Sequence, residues 1–200
     1  PDLLVLSGDL LDYPFEGMDD PLLQSAGLAD LQLIADLLAP LPMPQVILPG
    51  NHDHPALVEH RFPARDGEIT VAGHRVLAFR DHEGPQHVPQ RTGSERRRFL
   101  SALADEHSLP QVHVQHYVVW PERNAEYPHT YGDGAAMREA IIASGNVRLV
   151  LSGHYHAGVP LFVDKGVYFA TVPAFAEAPH CFAIYDLGDS PDGDGVTGRT

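Results

Sequence analysis

The chain carries VILPGNHD at residues 46–53, an apolar run that changes abruptly into small and polar residues. Two other segments have the same form, LLVLSGDLLD at residues 3–12 and LVLSGHYH at residues 149–156. In each segment the short apolar run predicts a buried strand, and the glycine that follows predicts a tight turn. The three segments therefore predict a sheet whose strands end in turns that carry Asp, Asn or His.

Helical patterns separate the predicted strands. Asp19-Asp20-Pro21 is typical of a helix start, and apolar residues at helical spacing continue from there to the prolines at 40, 42 and 44. Further helices are predicted at about 94–104 and 135–143, and a hairpin is predicted at 69–79. Because strand and helix alternate early while strands dominate later, the sequence predicts an α/β fold with a mixed sheet sandwich and helices outside it.

The length and composition favour one domain. Two hundred residues, of which 44% are hydrophobic, suit a single core. We predict that residues 1–187 form this domain. The Gly-, Asp-, Ser- and Pro-rich residues 188–200 are predicted to be a disordered tail or a linker. No apolar run is long enough to cross a bilayer, so no membrane segment is expected.

The charge and the cysteine count exclude some classes of function. Lys and Arg number 13 against 27 Asp and Glu, and the net charge of −14 argues against binding to duplex nucleic acid. Bound divalent cations would make a pocket locally positive, so small anionic substrates remain compatible with this charge. The single cysteine, Cys181, allows no intramolecular disulfide and no thiolate zinc cage. This fits a cytoplasmic location.

The polar residues at the strand ends form a possible metal-ligand set. Ligand sites gather at the carboxyl ends of strands in α/β sheets. That edge would collect Asp9, Asn51, His52, His116, His154 and His156. An oxygen and nitrogen set without thiolate suits Mn, Fe, Zn, Co or Ni. A lone carboxylate can bridge two ions, and two divalent metals would stabilise the attacking and leaving oxygens of an in-line displacement.

The same motifs resemble a known family. In chain order, GDLLD (8–12), GNHD (50–53), the strand-end His116 and GHYH (153–156) are similar to the later motifs of the calcineurin-like metallophosphoesterases. The resemblance covers nearly the whole chain. It implies a four-layer fold, in which two mixed β-sheets pack as a sandwich with flanking helices. It also implies hydrolysis of a small phosphodiester or phosphomonoester by a metal-bound hydroxide at a dinuclear site, as in a phosphodiesterase or phosphatase.

The resemblance implies a role for each metal ligand. Asp9 resembles the carboxylate that bridges two divalent metal ions. Asn51, His116 and His154 resemble ligands of the second metal. His156 resembles a ligand of the first metal.

Two further residues resemble the catalytic pair of the family. His52 resembles the histidine that donates a proton to the leaving oxygen, and Asp12 resembles its carboxylate partner. The family begins with a D-x-H motif that binds the first metal, and no such motif precedes the first strand here. The first metal would then keep only Asp9 and His156. We therefore expect this chain alone to be inactive and its first strand to have an unpaired edge.

Alternatives remain open on the sequence alone. The context of GNHD and GHYH is most similar to the small cyclic-nucleotide or glycerophosphodiester members of the family. A non-catalytic scaffold with the same fold, which binds protein partners, is the alternative from another class. A single-metal zinc hydrolase of unrelated fold is disfavoured because the chain has no HExxH motif. In the loop after His116, His129 with Tyr127, Tyr131 and Arg123 could line a substrate pocket.

Overall fold

The fold is described from a computed structural model of the chain. The structure describes residues 1–14, 17–63, 67–106, 109–190 and 193–200, with the backbone only at 189, 190, 193 and 194. The helices are α1 (Pro21–Leu38), α2 (Pro55–Arg61), α3 (Gly93–Leu103) and α4 (Gly134–Ser144). The strands are β1 (Leu4–Leu6), β2 (Gln45–Ile47), β3 (Glu68–Val71), β4 (His74–Phe79), β5 (His82–Glu83), β6 (Pro89–Gln90), β7 (Gln111–Gln115), β8 (Val147–Ser152), β9 (Val159–Asp164), β10 (Val167–Thr171), β11 (Ile184–Ser190) and β12 (Gly193–Arg199).

A six-stranded mixed sheet forms the centre, in the order β3-β4-β7-β8-β10-β9. Strands β4, β7, β8 and β10 run parallel to one another, while β3 and β9 are antiparallel edge strands. Buried residues such as Phe79, Phe99 and Met137 pack in one cluster with side chains from α3 and α4. A second cluster, with Val76, Val114 and Leu149, joins the sheet to side chains from β1, β2, β11 and β12.

The start of the chain is a strand–helix–strand unit. Strand β1 pairs in parallel with β2, and α1 connects them. Asp20 begins α1, since its carboxylate accepts the backbone N–H of Leu22 and Pro21 occupies the first turn. Within the described part of the chain, β1 forms a sheet with β2 alone. Because both strands run in the same direction, the turns that follow them lie at the same end of the pair.

The fold agrees with the predicted class and differs in two places. The mixed α/β architecture and the β3–β4 hairpin are confirmed. Helix α2 was not predicted. The prediction of a disordered tail or linker from residue 188 is wrong for the described residues, because β11 and β12 form an antiparallel pair. Tyr185, Leu187 and Val196 pack in the cluster against the central sheet, which stabilises this pair despite its polar composition.

None of the helices in the described ranges combines the length and the apolar character that a bilayer crossing requires.

Candidate metal centre

Four strand ends deliver the candidate ligands. Asp9 follows β1, Asn51 follows β2, His116 follows β7 directly, and His154 follows β8. Asp9, His116 and His154 form a group whose candidate ligand atoms all lie within 4.8 Å of one another. Asn51 joins this group through its side-chain oxygen, which lies 2.9 Å from His116 Nε2. We call these four residues the acceptor cluster.

The polar atoms of the acceptor cluster converge on His116 Nε2. His116 Nδ1 lies 2.7 Å from the Ser7 carbonyl oxygen, which can only accept, so Nδ1 carries the proton and Nε2 presents a lone pair in the neutral ring. Facing Nε2 are Asn51 Oδ1 at 2.9 Å, His154 Nδ1 at 3.2 Å and Asp9 Oδ2 at 3.3 Å. Such a convergence of oxygen and nitrogen lone pairs fits a divalent cation of the Mn, Fe, Zn, Co or Ni type.

Two members of the acceptor cluster have unusual backbone conformations. Asp9 has φ of +54° and His154 has φ of +64°, both in the left-handed region. This region is uncommon for residues other than glycine, and each such residue costs on the order of 1–3 kcal/mol unless the surroundings hold it. Both residues follow a glycine at a strand end. The backbone strain is therefore located at two residues whose side chains belong to the acceptor cluster.

Two glycines allow the turns to approach each other. A Cβ at Gly8 would lie 2.5 Å from His116 Nδ1 and 2.6 Å from the Gly50 nitrogen. A Cβ at Gly50 would lie 2.1 Å from Asp9 Oδ1. Side chains at either position would therefore separate the turns after β1 and β2.

Asp53 connects the turns after β1 and β2 by hydrogen bonds. The sequence analysis assigned no role to this residue. Its carboxylate is 1% exposed and accepts the backbone N–H groups of Gly50 at 2.8 Å, Leu10 at 3.1 Å and Leu11 at 2.8 Å. Burial raises the pKa of Asp53 more than these hydrogen bonds lower it. Asp53 is the last residue of the GNHD motif, so its position was visible in the sequence, but two of its three partners, Leu11 and Leu10, lie 42 and 43 residues away in the chain.

The electrostatics of the cluster favour an ionised Asp9 and a neutral His154. Burial raises the pKa of Asp9, but contacts with His116 and with the His52 N–H outweigh it, so this pKa lies below its usual value. Burial, followed by the charges of His116 and His129, lowers the pKa of His154 to about 3. An ionised carboxylate and unprotonated imidazoles are the forms that bind metal ions.

The predicted catalytic pair lies beside the acceptor cluster. His52 Nδ1 lies 3.1 Å from Asp12 Oδ1, and the backbone N–H of His52 donates to Asp9 Oδ1 at 3.0 Å. The Asp12 side chain is 96% exposed. Water therefore screens the Asp12 charge, and this contact orients His52 more than it stabilises the fold.

His156 is outside the acceptor cluster. Its Nδ1 lies 2.6 Å from Glu177 Oε1, and its side chain is 57% exposed. The described residues thus bring together four of the five predicted ligands, Asp9, Asn51, His116 and His154, while His156 pairs with a carboxylate from the segment between β10 and β11.

A cavity of about 360 Å³ opens at the acceptor cluster. Its walls include Asp9, Asn51 and His52, together with Tyr127 and His129 from the loop after β7. Of the residues expected to line a pocket, His129 and Tyr127 do so, and Arg123 is not among the lining residues. The expectation is wrong for Tyr131, which is 2% exposed and donates its hydroxyl hydrogen bond to Asp81. The room beside the cluster is sufficient for a small organic ester.

Comparisons with known proteins identify the family of the chain. Residues 1–158 match the family model described as calcineurin-like phosphoesterase. The chain is 26% identical over 170 residues to a probable cyclic nucleotide phosphodiesterase of Synechococcus sp., an alignment that covers 78% of this chain and 58% of that relative. The chain thus spans little more than half the length of this relative.

Solved structures share the fold at low sequence identity. A dimetal phosphatase from Danio rerio matches with a TM-score of 0.64 and 13% identity, over 98% of this chain and 76% of that one. The structure of PhoD matches with a TM-score of 0.51 and 14% identity, over 86% of this chain and 51% of that one. The matched family model spans β1, β2, β7 and β8, whose ends carry the acceptor cluster. The chain therefore belongs to the calcineurin-like phosphoesterases, a family of phosphate-ester hydrolases.

Proposed function

We propose that the acceptor cluster binds divalent metal ions and that the chain hydrolyses a small phosphodiester or phosphomonoester at a dinuclear centre. The observation that carries this proposal is the convergence of Asn51 Oδ1, His154 Nδ1 and Asp9 Oδ2 on His116 Nε2. Lone pairs at these separations repel one another unless a proton or a cation lies between them. A cation relieves this repulsion for all four groups at once.

The ligands are assigned by position. Asn51, His116 and His154 would hold one ion, and Asp9 would contribute to both this ion and a second one. His156 would contribute to the second ion after leaving Glu177, from which its Nδ1 is 2.6 Å away. When bound, such ions neutralise phosphate oxygens and lower the pKa of a water molecule.

His52 would supply the proton that the leaving oxygen requires. Its Nδ1 faces Asp12, so we assign the proton transfer to Nε2. The contact of the His52 backbone N–H with Asp9 Oδ1 fixes the residue relative to the acceptor cluster. A phosphate held at the cluster would thus lie next to both the ligands and the acid. The likeness to a probable cyclic nucleotide phosphodiesterase supports a phosphodiester as the first substrate class to test.

Metal binding is the first test, because it does not depend on turnover. We expect isothermal titration with Mn²⁺ to detect binding that His116→Ala weakens by about 10- to 100-fold or more. His60→Ala is the matched control, since His60 is an exposed histidine on α2 outside the cavity walls. Equal Mn²⁺ affinity in the two variants would contradict the proposed centre. A stoichiometry of two would support a dinuclear site.

Hydrolysis is the second test. Bis-p-nitrophenyl phosphate and p-nitrophenyl phosphate would be assayed with Mn²⁺, in this chain and in a version extended upstream through a D-x-H motif. We expect His52→Ala to reduce the rate about 10²- to 10⁴-fold in the active version, while Mn²⁺ binding persists. A protein that binds no metal and cleaves neither ester would favour the scaffold alternative, and a search for protein partners would follow.

A further inference from the structure

The cavity at the acceptor cluster has one wall made of aromatic rings. Tyr127, His129 and Tyr155 form this wall, which we call the aromatic wall. The ring centres of Tyr127 and His129 are 5.2 Å apart, and those of His129 and Tyr155 are 5.1 Å apart. The rings of Tyr127 and His129 also lie 5.7 Å and 5.0 Å from the ring of His154. The aromatic wall is therefore continuous with the acceptor cluster.

The aromatic wall is held in place by hydrogen bonds. The Tyr127 hydroxyl donates to Glu83 Oε1 at 3.1 Å, and the Glu83 side chain is largely buried. Burial, and then the charge of Glu83, raises the pKa of Tyr127 to about 12, so the hydroxyl stays a donor at neutral pH. The backbone N–H of His129 donates to the Tyr127 carbonyl at 2.9 Å, and the His129 carbonyl accepts from Val118 at 3.1 Å. These contacts preorganise the rings before any ligand arrives.

The charges of the residues that line the cavity restrict which groups of a substrate can bind there. Among the described residues that line the cavity, none is Lys or Arg. A substrate phosphate would find its positive partner at the metal centre. A second anionic group, such as another phosphate or a carboxylate, would lie against the aromatic rings of this wall. The Arg123 guanidinium lies 5.7 Å from the centre of the Tyr155 ring but is not among the residues that line the cavity, so the loss of hydration of that anion would be poorly compensated. A flat, uncharged ring fits the same wall without this cost.

We propose that the aromatic wall binds an aromatic ring of the substrate, so that the chain prefers phosphate esters with an aryl or nucleobase group over alkyl esters of equal size. This inference rests on the proposed function, because it places the phosphate at the acceptor cluster. The ring would stack on Tyr127 or His129, next to the His154 ring. Tyr127 is then a specificity-determining residue, whose hydroxyl is engaged with Glu83 and whose ring supplies the contact.

The test uses two phosphonates that cannot be hydrolysed. Benzylphosphonate and cyclohexylmethylphosphonate carry the same charged group and differ in the aromaticity of the ring. Binding would be measured by isothermal titration with Mn²⁺ present. We expect benzylphosphonate to bind about fivefold more tightly. Tyr127→Leu should abolish this preference, whereas Tyr127→Phe, which keeps the ring and loses the bond to Glu83, should retain most of it.

Each outcome decides the inference. Equal binding of the two phosphonates, or a preference that survives in both Tyr127→Leu and His129→Leu, would overturn it. Binding of neither phosphonate beyond the affinity for inorganic phosphate would overturn it as well. The ester assay judges the proposed function separately. Hydrolysis of both nitrophenyl esters without any preference for the aromatic phosphonate would leave that function standing and remove only the aromatic wall as a binding site.

Discussion

Replacing Gly50 with alanine tests whether the close approach of two turns builds the metal centre. The added Cβ would lie 2.1 Å from Asp9 Oδ1, 2.5 Å from the Asp9 backbone nitrogen and 2.6 Å from His116 Cε1. Ordinary contacts are about 3.5–4.0 Å, so the neighbours must retreat by roughly 1 Å. The Asp9 carboxylate can rotate, but its backbone nitrogen moves only if the turn after β1 moves. The substitution therefore separates the turns that carry Asp9 and Asn51.

The expected magnitude follows from overpacking. Forcing an extra methyl into a filled site costs typically about 1–3 kcal/mol. For a chain of this length, each kcal/mol lowers the melting temperature by roughly 2–4 °C, so a decrease of about 2–12 °C is expected. The Mn²⁺ affinity should fall by about 10- to 100-fold, because the Asp9–His116 contact at 3.3 Å would be lost.

Gly188→Ala is the matched control for this change. Gly188 lies on β11, and a Cβ there would meet no atom within 4 Å. The assay is a thermal melt in EDTA, followed by isothermal titration with Mn²⁺, on both variants and the parent chain. If Gly50→Ala melts within about 2 °C of Gly188→Ala and binds Mn²⁺ equally well, the turns are not held as the structure describes.

Three further predictions concern stability. A histidine in the unfolded chain titrates near pH 6.5, whereas burial lowers the pKa of His154 in the folded chain to about 3. Between these two pH values the unfolded chain therefore binds one proton at His154 that the folded chain does not bind. The metal-free protein should therefore lose stability as pH falls from about 6.5 toward 3, and His154→Gln should reduce that slope in urea unfolding. Arg91 and Asp81 form an ion pair with both side chains 0% exposed, so Arg91→Met should lower the free energy of unfolding by about 3–5 kcal/mol. Arg199→Met, which breaks an exposed pair, should change it by less than about 1 kcal/mol in the same urea titration. Mn²⁺ at 100 times its dissociation constant should stabilise the parent chain by about 2.7 kcal/mol, and an unchanged melting temperature would contradict specific binding to the folded state.

The sheet was predictable where its signals are local. The apolar runs that end in glycine gave β1, β2 and β8 near their observed positions, because burial and a tight turn leave a mark within a few residues. Helix α2 has seven residues, too few for its apolar spacing to stand out. The β11–β12 pair depends on contacts that Tyr185, Leu187 and Val196 make with the central sheet, and such tertiary packing overrides local composition.

The candidate site was predictable to the extent that its ligands directly follow strands whose carboxyl ends lie close together. Asp9 and Asn51 follow the parallel strands β1 and β2, and His116 and His154 follow the parallel strands β7 and β8, so each pair lies at one end of its own sheet. The packing of the two sheets against each other then brings the two pairs together. Glu177, which pairs with His156, lies in a segment without a periodic pattern, and nothing local connects the two residues.

The acceptor cluster lowers the folding stability of the metal-free protein, and this cost favours an enzyme over a scaffold with the same fold. Asp9 and His154 are held in left-handed conformations, and His154 Nε2 is buried without a hydrogen bond to any residue that the structure describes. Each feature destabilises the metal-free protein. A protein selected only to present its outer surface to a partner would gain stability from apolar residues at these positions. Buried acceptors that face one another lower the stability of the fold without adding to a binding surface, and they become favourable once a cation neutralises them. These costs therefore support the proposed metal centre more than a role in surface recognition alone.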